Sequence, residues 1–202
     1  MKIPTLTQTQ AFLQEAEKRN PGPWVAHSIR VGEAARTIAE HHPGLDGETA
    51  YILGLLHDIG RREGVKGMRH VLDGYQFLVE QGFPDAGRIC MTHSYPVQDA
   101  RAGASDWDGT EAEFAFIQDY LKQLKYDDYD RLFQLCDSLA LPEGFCLVEK
   151  RWVDVLMRYK NFTEFTIPKW QAIANIKRDF EVVIGMNVYT LLPGIEKATF
   201  GF

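Results

Sequence analysis

The stretch from Ala50 to Ile59 constrains this chain more than any other. Ala50, Ile52, Leu53, Leu55, Leu56 and Ile59 leave a helix there with almost no polar face, and the run contains His57-Asp58 near its end. A helix that is apolar on nearly every side is stable in water only where other elements cover it all round. The fold must therefore be built about this segment. Adjacent helical residues point about 100° apart, so at least one of His57 and Asp58 is carried into that interior. An ionised carboxylate buried without a partner costs several kcal/mol, so Asp58 demands a cation or a strong set of hydrogen bonds. A metal ion would supply it.

Helical periodicity governs the remainder of the chain. The pattern Thr7-x-x-Gln10 predicts a capped first helix with Phe12, Leu13 and Ala16 on one face, stopped by Asn20-Pro21-Gly22-Pro23. Trp24, His27, Val31, Ala34, Ala35 and Ile38 recur at three- and four-residue steps and predict a second helix to about His41. Asp46 is the expected cap of the third, which runs to about Ile59. After a loop from Gly60 to Gly67, helices are expected from about Met68 to Glu80 and from Pro84 to about His93. Ser94 to Gly109 reads as a loop, and further amphipathic helices are expected at about 111–124, 128–140, 145–160 and 168–188. No segment sustains two-residue alternation between turn signals, so the expected fold class is all-α with no sheet. A length of 202 residues with 45% hydrophobic content suits one core. The expectation is a single domain over 1–202, with its core at about 24–140 and the helices of 145–190 packed on it.

No apolar run approaches the ~20 residues that span a bilayer. The N-terminal residues lack the apolar stretch and cleavage site of a secretory signal, which predicts a cytoplasmic protein away from any membrane. A net charge of -6 argues against a nucleic-acid polymer as partner, because binding to that backbone needs a positive surface. A small ligand remains open. Cys90, Cys136 and Cys146 are odd in number and lie in apolar helical stretches, which predicts reduced, buried thiols.

Four of the six histidines, His27, His57, His70 and His93, fall on four different expected helices, at or near their apolar faces or ends. The other two, His41 and His42, stand beside Pro43 at a helix end, where they suit the helix dipole. Asp137 is the lone acid in the apolar run Phe133 to Ala140. Four imidazoles and two carboxylates form a nitrogen and oxygen ligand set suited to Fe, Mn, Co, Zn or Mg. They are too many for one tetrahedral site, and two divalent ions fit better. The loop after the buried pair carries Arg61, Arg62, Lys66 and Arg69 against Glu63 alone, a local excess of +3. That excess favours a small anionic, phosphate-containing substrate, with Arg61 and Arg62 as the expected contacts. Lys66 and Arg69 read as exposed. The stretch Lys150 to Lys160, with Arg151, Trp152, Arg158 and Tyr159, reads as core packing with a charged outer face.

The order His27, His57-Asp58, His70, His93, Asp137 resembles the HD-domain superfamily of metal-dependent phosphohydrolases. His57-Asp58-Ile59-Gly60 is similar to its HDIG variant, and the likeness covers roughly 24–140. The resemblance implies a helical bundle in which His27, His57, Asp58 and Asp137 hold one metal ion and His70 with His93 a second. Asp58 would bridge the two and act at the catalytic step. Members with six ligands include dinucleotide polyphosphate hydrolases of the YqeK-like group, cyclic dinucleotide phosphodiesterases and a branch of di-iron oxygenases. Asp73-Gly74-Tyr75-Gln76 lacks the Gly-Tyr-Pro element of the cyclic dinucleotide enzymes, and Arg61 stands where a lysine often follows HDIG. The expected activity is hydrolysis of a phosphoester or phosphoanhydride, nucleotides included, by metal-activated water. The alternatives are a di-iron oxygenase with the same ligands and an inert ligand-sensing module.

Overall fold

Glycines at the crossing of two helices set the centre of the molecule. A computed structural model describes residues 1–64 and 66–201. In it α1 (Leu6–Arg19) is followed by α2 (Pro23–Ala39) and α3 (Gly47–Leu56). A Cβ on Gly54 of α3 would overlap the Gly32 backbone of α2, so these two helices touch main chain to main chain. Every residue of α3 from Ile52 to Leu56 is buried, as a helix without a polar face requires. α1, α2 and α5 (Pro84–Thr92) cover it. Each fully buried leucine or isoleucine there contributes about 1.5–3 kcal/mol.

A 3-10 turn (Ile59–Glu63) leads from α3 toward α4 (His70–Glu80), and α4 pairs with α5. Then come α6 (Glu111–Gln123), α7 (Asp128–Asp137), β1 (Ala140–Leu141), β2 (Gly144–Phe145), α8 (Val148–Tyr159), α9 (Thr166–Ile184), α10 (Val188–Leu191) and α11 (Ile195–Phe200). The fold is all-α. A main apolar cluster joins α1, α2, α3, α5, α7 and α9, and takes in Ile173, Ile176, Phe180, Val188 and Leu192 from the last third of the chain. A smaller one, with Met68, Val71, Leu72, Met91, Tyr95, Ile117 and Leu121, lies between α4, α5 and α6. No helix among the described residues is long and apolar enough to cross a membrane.

Several boundaries differ from the sequence expectation. The Thr-x-x-Gln spacing occurs twice, and the structure uses the earlier copy, Thr5 with Gln8, in a reciprocal capping box. That choice brings Leu6 onto the core. α3 stops at Leu56 and the expected loop begins as a 3-10 turn, which buries Ile59 and Gly60. α7 ends at Asp137, and an antiparallel two-residue pair, Ala140 with Phe145 and Leu141 with Gly144, replaces the expected helical end. Pro142 and Gly144, at φ 157°, make that turn, which explains why a chain expected to have no sheet has a minimal one. Ser94 to Gly109 is irregular apart from a 3-10 turn at Ala100–Ala102, and it buries Tyr95.

Candidate metal centre

Three of the histidines sit at helix ends, where the backbone fixes their rings. His57 caps α3 and its Nδ1 lies 2.7 Å from the Gly54 carbonyl oxygen. His93 caps α5 with Nδ1 3.0 Å from the Cys90 oxygen. His70 opens α4 with Nδ1 2.6 Å from the Gly67 oxygen. The segment before α4 is itself anchored by Asp108, whose carboxylate accepts from the Gly67 and Arg69 amides at 2.6 and 2.9 Å. A carbonyl can only accept, so in each ring Nδ1 carries the hydrogen and Nε2 keeps a lone pair. This is the tautomer a metal-binding histidine presents, with its second nitrogen held by a main-chain acceptor.

The lone pairs converge on Asp58. Its carboxylate lies 3.1 Å from His70 Nε2, 3.6 Å from His93 Nε2 and 3.9 Å from His57 Nε2. All four residues are buried. Among the described residues, His57 Nε2, Asp58 Oδ1 and His27 Nδ1 are buried without a hydrogen-bond partner. Lone pairs facing a carboxylate need protons or a cation between them. Protonating the three rings would bury three imidazolium charges, and burial with His57 alongside already pushes His93 down to about 3. One multivalent ion satisfies the same atoms at less cost. Two groups of three have donor atoms within 4.8 Å of one another: His27, His57 and Asp58, and Asp58, His70 and His93. Asp58 belongs to both. Gly60 makes this possible, because a Cβ there would overlap the His70 carbonyl and the Gly74 amide, and only a bare backbone lets α4 come so close.

Asp58 also accepts from Arg61 Nε at 2.6 Å. Burial opposes its ionisation, yet the positive charge beside it, the Arg61 guanidinium first, outweighs that and holds the carboxyl well below the usual range. Asp137 stands at the edge, outside both groups of three. Its Oδ1 is 2.9 Å from His27 Nε2 and 3.4 Å from Arg151 Nη2. Burial works against this carboxylate too, and His27 with Arg151 still holds it well below the usual range. Burial lowers His27, with Asp137 pulling the other way. His41 and His42 lie elsewhere, His41 exposed on a helix end and His42 against Phe180.

The cations of the loop separate. In a 3-10 turn successive side chains diverge by about 120°, and Arg61 faces the cluster while Arg62 faces away. Arg62 stacks 4.0 Å over the Phe77 ring and pairs with Glu15 at 2.7 Å. Arg62, expected to contact substrate beside Arg61, packs α1 against α4 in the structure. Arg69 is likewise engaged, with Glu113 at 3.0 Å and Asp73 at 3.4 Å, so the local excess of charge is balanced close by. Lys66 and Arg69 are half-buried rather than exposed.

Sequence reasoning missed three groups. Asp130 is fully buried and joins α5 to α7 through Arg88 and the Thr92 hydroxyl, which donates at 2.8 Å beside His93. Arg151, read as part of a charged outer face, turns inward with a side chain only 11% exposed and donates from Nε to the Asp137 carbonyl at 3.2 Å. The signal was there, because Arg151 falls in helical register with Val148 and Val155. Lys169 of α9 shares with it a cleft of about 80 Å³ that reaches His93 and Asp137.

No curated protein and no solved structure gives a significant match to the chain. The sequence profile of the HD domain does match it, over residues 24–141. Most members of that superfamily are metal-dependent phosphohydrolases, and they bind divalent metals. The matched span takes in every one of His27, His57, Asp58, His70, His93 and Asp137, together with the glycine that lets α4 approach. On that match, over more than half its length, the chain belongs to the HD domain family.

Proposed function

We propose that the chain hydrolyses phosphoester or phosphoanhydride bonds with the help of two divalent ions, nucleotides and dinucleotide polyphosphates being the first substrates to try. In this reading His27, His57 and Asp58 hold one ion, Asp58, His70 and His93 the other, and Asp137 serves the first from beside His27. Fe, Mn, Co, Zn and Mg all suit such a nitrogen and oxygen set. The observation that carries the reading is the set of Nε2 lone pairs around Asp58, each ring turned that way by a main-chain bond to its Nδ1, with only His70 Nε2 also facing Arg61 Nη2 at 3.4 Å. Ions held there would lower the pKa of a water toward ~7 and polarise a phosphoryl oxygen.

The protein's own groups do the rest. Arg61 keeps Asp58 ionised, and its side chain, 23% exposed, is the cation beside the cluster that a phosphoryl oxygen would meet. The three Nδ1 bonds keep the rings from turning as charge builds up. Burial of the cluster excludes bulk water and strengthens each of these interactions.

The test is release of phosphate or p-nitrophenol from generic esters and a nucleotide panel, by protein loaded with Mn, Fe or Co. His57→Ala and Asp58→Ala should each lose both metal and turnover. Turnover at the wild-type rate in either variant overturns the reading, and substrate-dependent oxygen uptake without phosphate release would favour an oxygenase.

A further inference from the structure

We propose that Lys169 and the Trp152 indole N–H, with the paired Arg151 adding positive charge behind them, form a phosphate-binding subsite beside the centre, supplied by helices that follow the HD match. The catalytic role of this subsite rests on the reading above, whereas phosphate binding does not. The cleft they line lies between the end of α7 and helices α8 and α9, with His93 and Asp137 in its wall. Anything seated in it therefore adjoins the His/Asp cluster. At about 80 Å³ it is far smaller than the roughly 300–1,000 Å³ of pockets that take whole drug-sized ligands. It has room for a single group such as a phosphoryl.

The polar inventory of the wall decides which group. The Lys169 ammonium has no ion pair or hydrogen bond among the described residues. Its neighbouring carboxylate, Asp137, is already engaged by His27 and Arg151. Trp152 Nε1 is a buried donor with no acceptor. Gln134 donates to the Thr92 carbonyl and accepts from Arg131, the Ser138 hydroxyl donates to the Gln134 carbonyl, and the Ser94 hydroxyl, also in the wall, can donate to an anion as well as accept. What is left over is the Lys169 ammonium and the Trp152 N–H, donors without an acceptor, while the Arg151 guanidinium adds positive charge although it is held by Asp137 and, at 3.1 Å, by Asp154. An unpaired cation and an unpaired donor in a cleft are costly, and a group with several anionic oxygens meets both. Burial lowers the Lys169 pKa only to about 8, so the ammonium is present at neutral pH. Trp152 and Trp170 stack with centroids 5.2 Å apart and planes 6° from parallel, which ties α8 to α9 beside the cleft that Arg151 and Lys169 both line.

Calorimetric titration of the full chain with inorganic phosphate at constant ionic strength tests this without any turnover. Lys169→Gln should weaken binding at least tenfold and Trp152→Phe, which keeps the stack, about threefold, while Lys169→Arg stays near wild type and metal content is unchanged throughout. With a hydrolysed substrate, Lys169→Gln should raise KM about as much and leave kcat within a few-fold. The subsite is overturned if the wild-type chain shows no saturable phosphate binding, or if Lys169→Gln binds phosphate as well as wild type does. It is also overturned if Lys169→Gln loses metal along with phosphate, because the lysine would then act through the centre. A chain that binds phosphate through Lys169 and hydrolyses nothing sinks the proposed function alone. One that hydrolyses normally with Lys169→Gln sinks the subsite alone.

Discussion

Asp58→Asn is the sharpest perturbation of the centre, because it removes one charge at nearly constant volume from the residue common to both groups of three. An ion present at 100 times its Kd adds about 2.7 kcal/mol of stability. In a chain of this size each kcal/mol moves Tm by about 2–4 °C, so each ion should raise Tm by about 5–11 °C. Altering groups that merely support a ligand costs 10- to 100-fold in metal affinity. Loss of a ligand itself should cost at least about 3 kcal/mol, more than a hundredfold. An ion at 100 times Kd then falls to about its Kd or below, and its Tm increment nearly vanishes. The expected pattern is specific: His27→Ala loses one metal equivalent and one increment, His70→Ala loses the other, and Asp58→Asn loses both. Elemental analysis after desalting and calorimetry at fixed metal read the two quantities. Asp58→Asn retaining one full equivalent with its increment would refute the shared carboxylate. Complete metal loss in both histidine variants would refute two separable sites.

Gly60→Ala should cost about 3 kcal/mol in urea unfolding, because its Cβ meets the His70 and Gly74 backbone rather than a side chain that could yield; a loss under about 0.5 kcal/mol would show that α4 can move aside freely. Chelator-treated protein should lose stability as pH falls. The unfolded imidazoles take protons near pH 6.5, while burial holds the folded His93 at about 3 and lowers His27, so stability is full above about 6.5 and drains away toward 3. The folded carboxyls of Asp58 and Asp137, held low, add to the same loss below about pH 4. A urea midpoint that is flat or rising from pH 7.5 to 4.5 would contradict this. Cys90, Cys136 and Cys146 are buried, and burial raises each thiol, so Ellman's reagent at pH 8 should label none in the native protein and all three after unfolding.

What could be read in the sequence was what depends on a residue's type and its place along one helix. Ala50 to Leu56 had to be central because a helix with no polar face has nowhere else to go, and it is. His57 and Asp58 followed it inward, and His27, His70 and His93, on apolar faces or at helix ends, meet them. What could not be read depends on direction between elements. Thr5 and Thr7 offer the same cap, and the choice is made by Leu6 reaching a core that only the folded chain possesses. Arg61 and Arg62 are equivalent in sequence until a 3-10 turn separates them. Asp130 looked like one more acid in the first turn of an amphipathic helix, yet Arg88, forty-two positions away, takes it into the interior.

The division of labour in this chain also explains why truncation is the wrong way to probe specificity. The HD match ends at residue 141, and Arg151 and Lys169 come from helices beyond it. Removing 145–202 would take away the cations, but also Val148, Ile173, Ile176, Phe180, Val188 and Leu192 from the main core. At about 1.5–3 kcal/mol for each such side chain, that loss rivals the whole stability of a typical domain, about 5–15 kcal/mol. A truncated chain that lost activity would report unfolding, whatever the helices do for substrate. Lys169 has no partner to strand and no place in the apolar cluster, so a change there alters the charge of the cleft and little else. If the last helices set specificity, Lys169→Gln must shift preference away from the most highly charged phosphates at unchanged Tm; an unaltered substrate profile would leave those helices a purely architectural role.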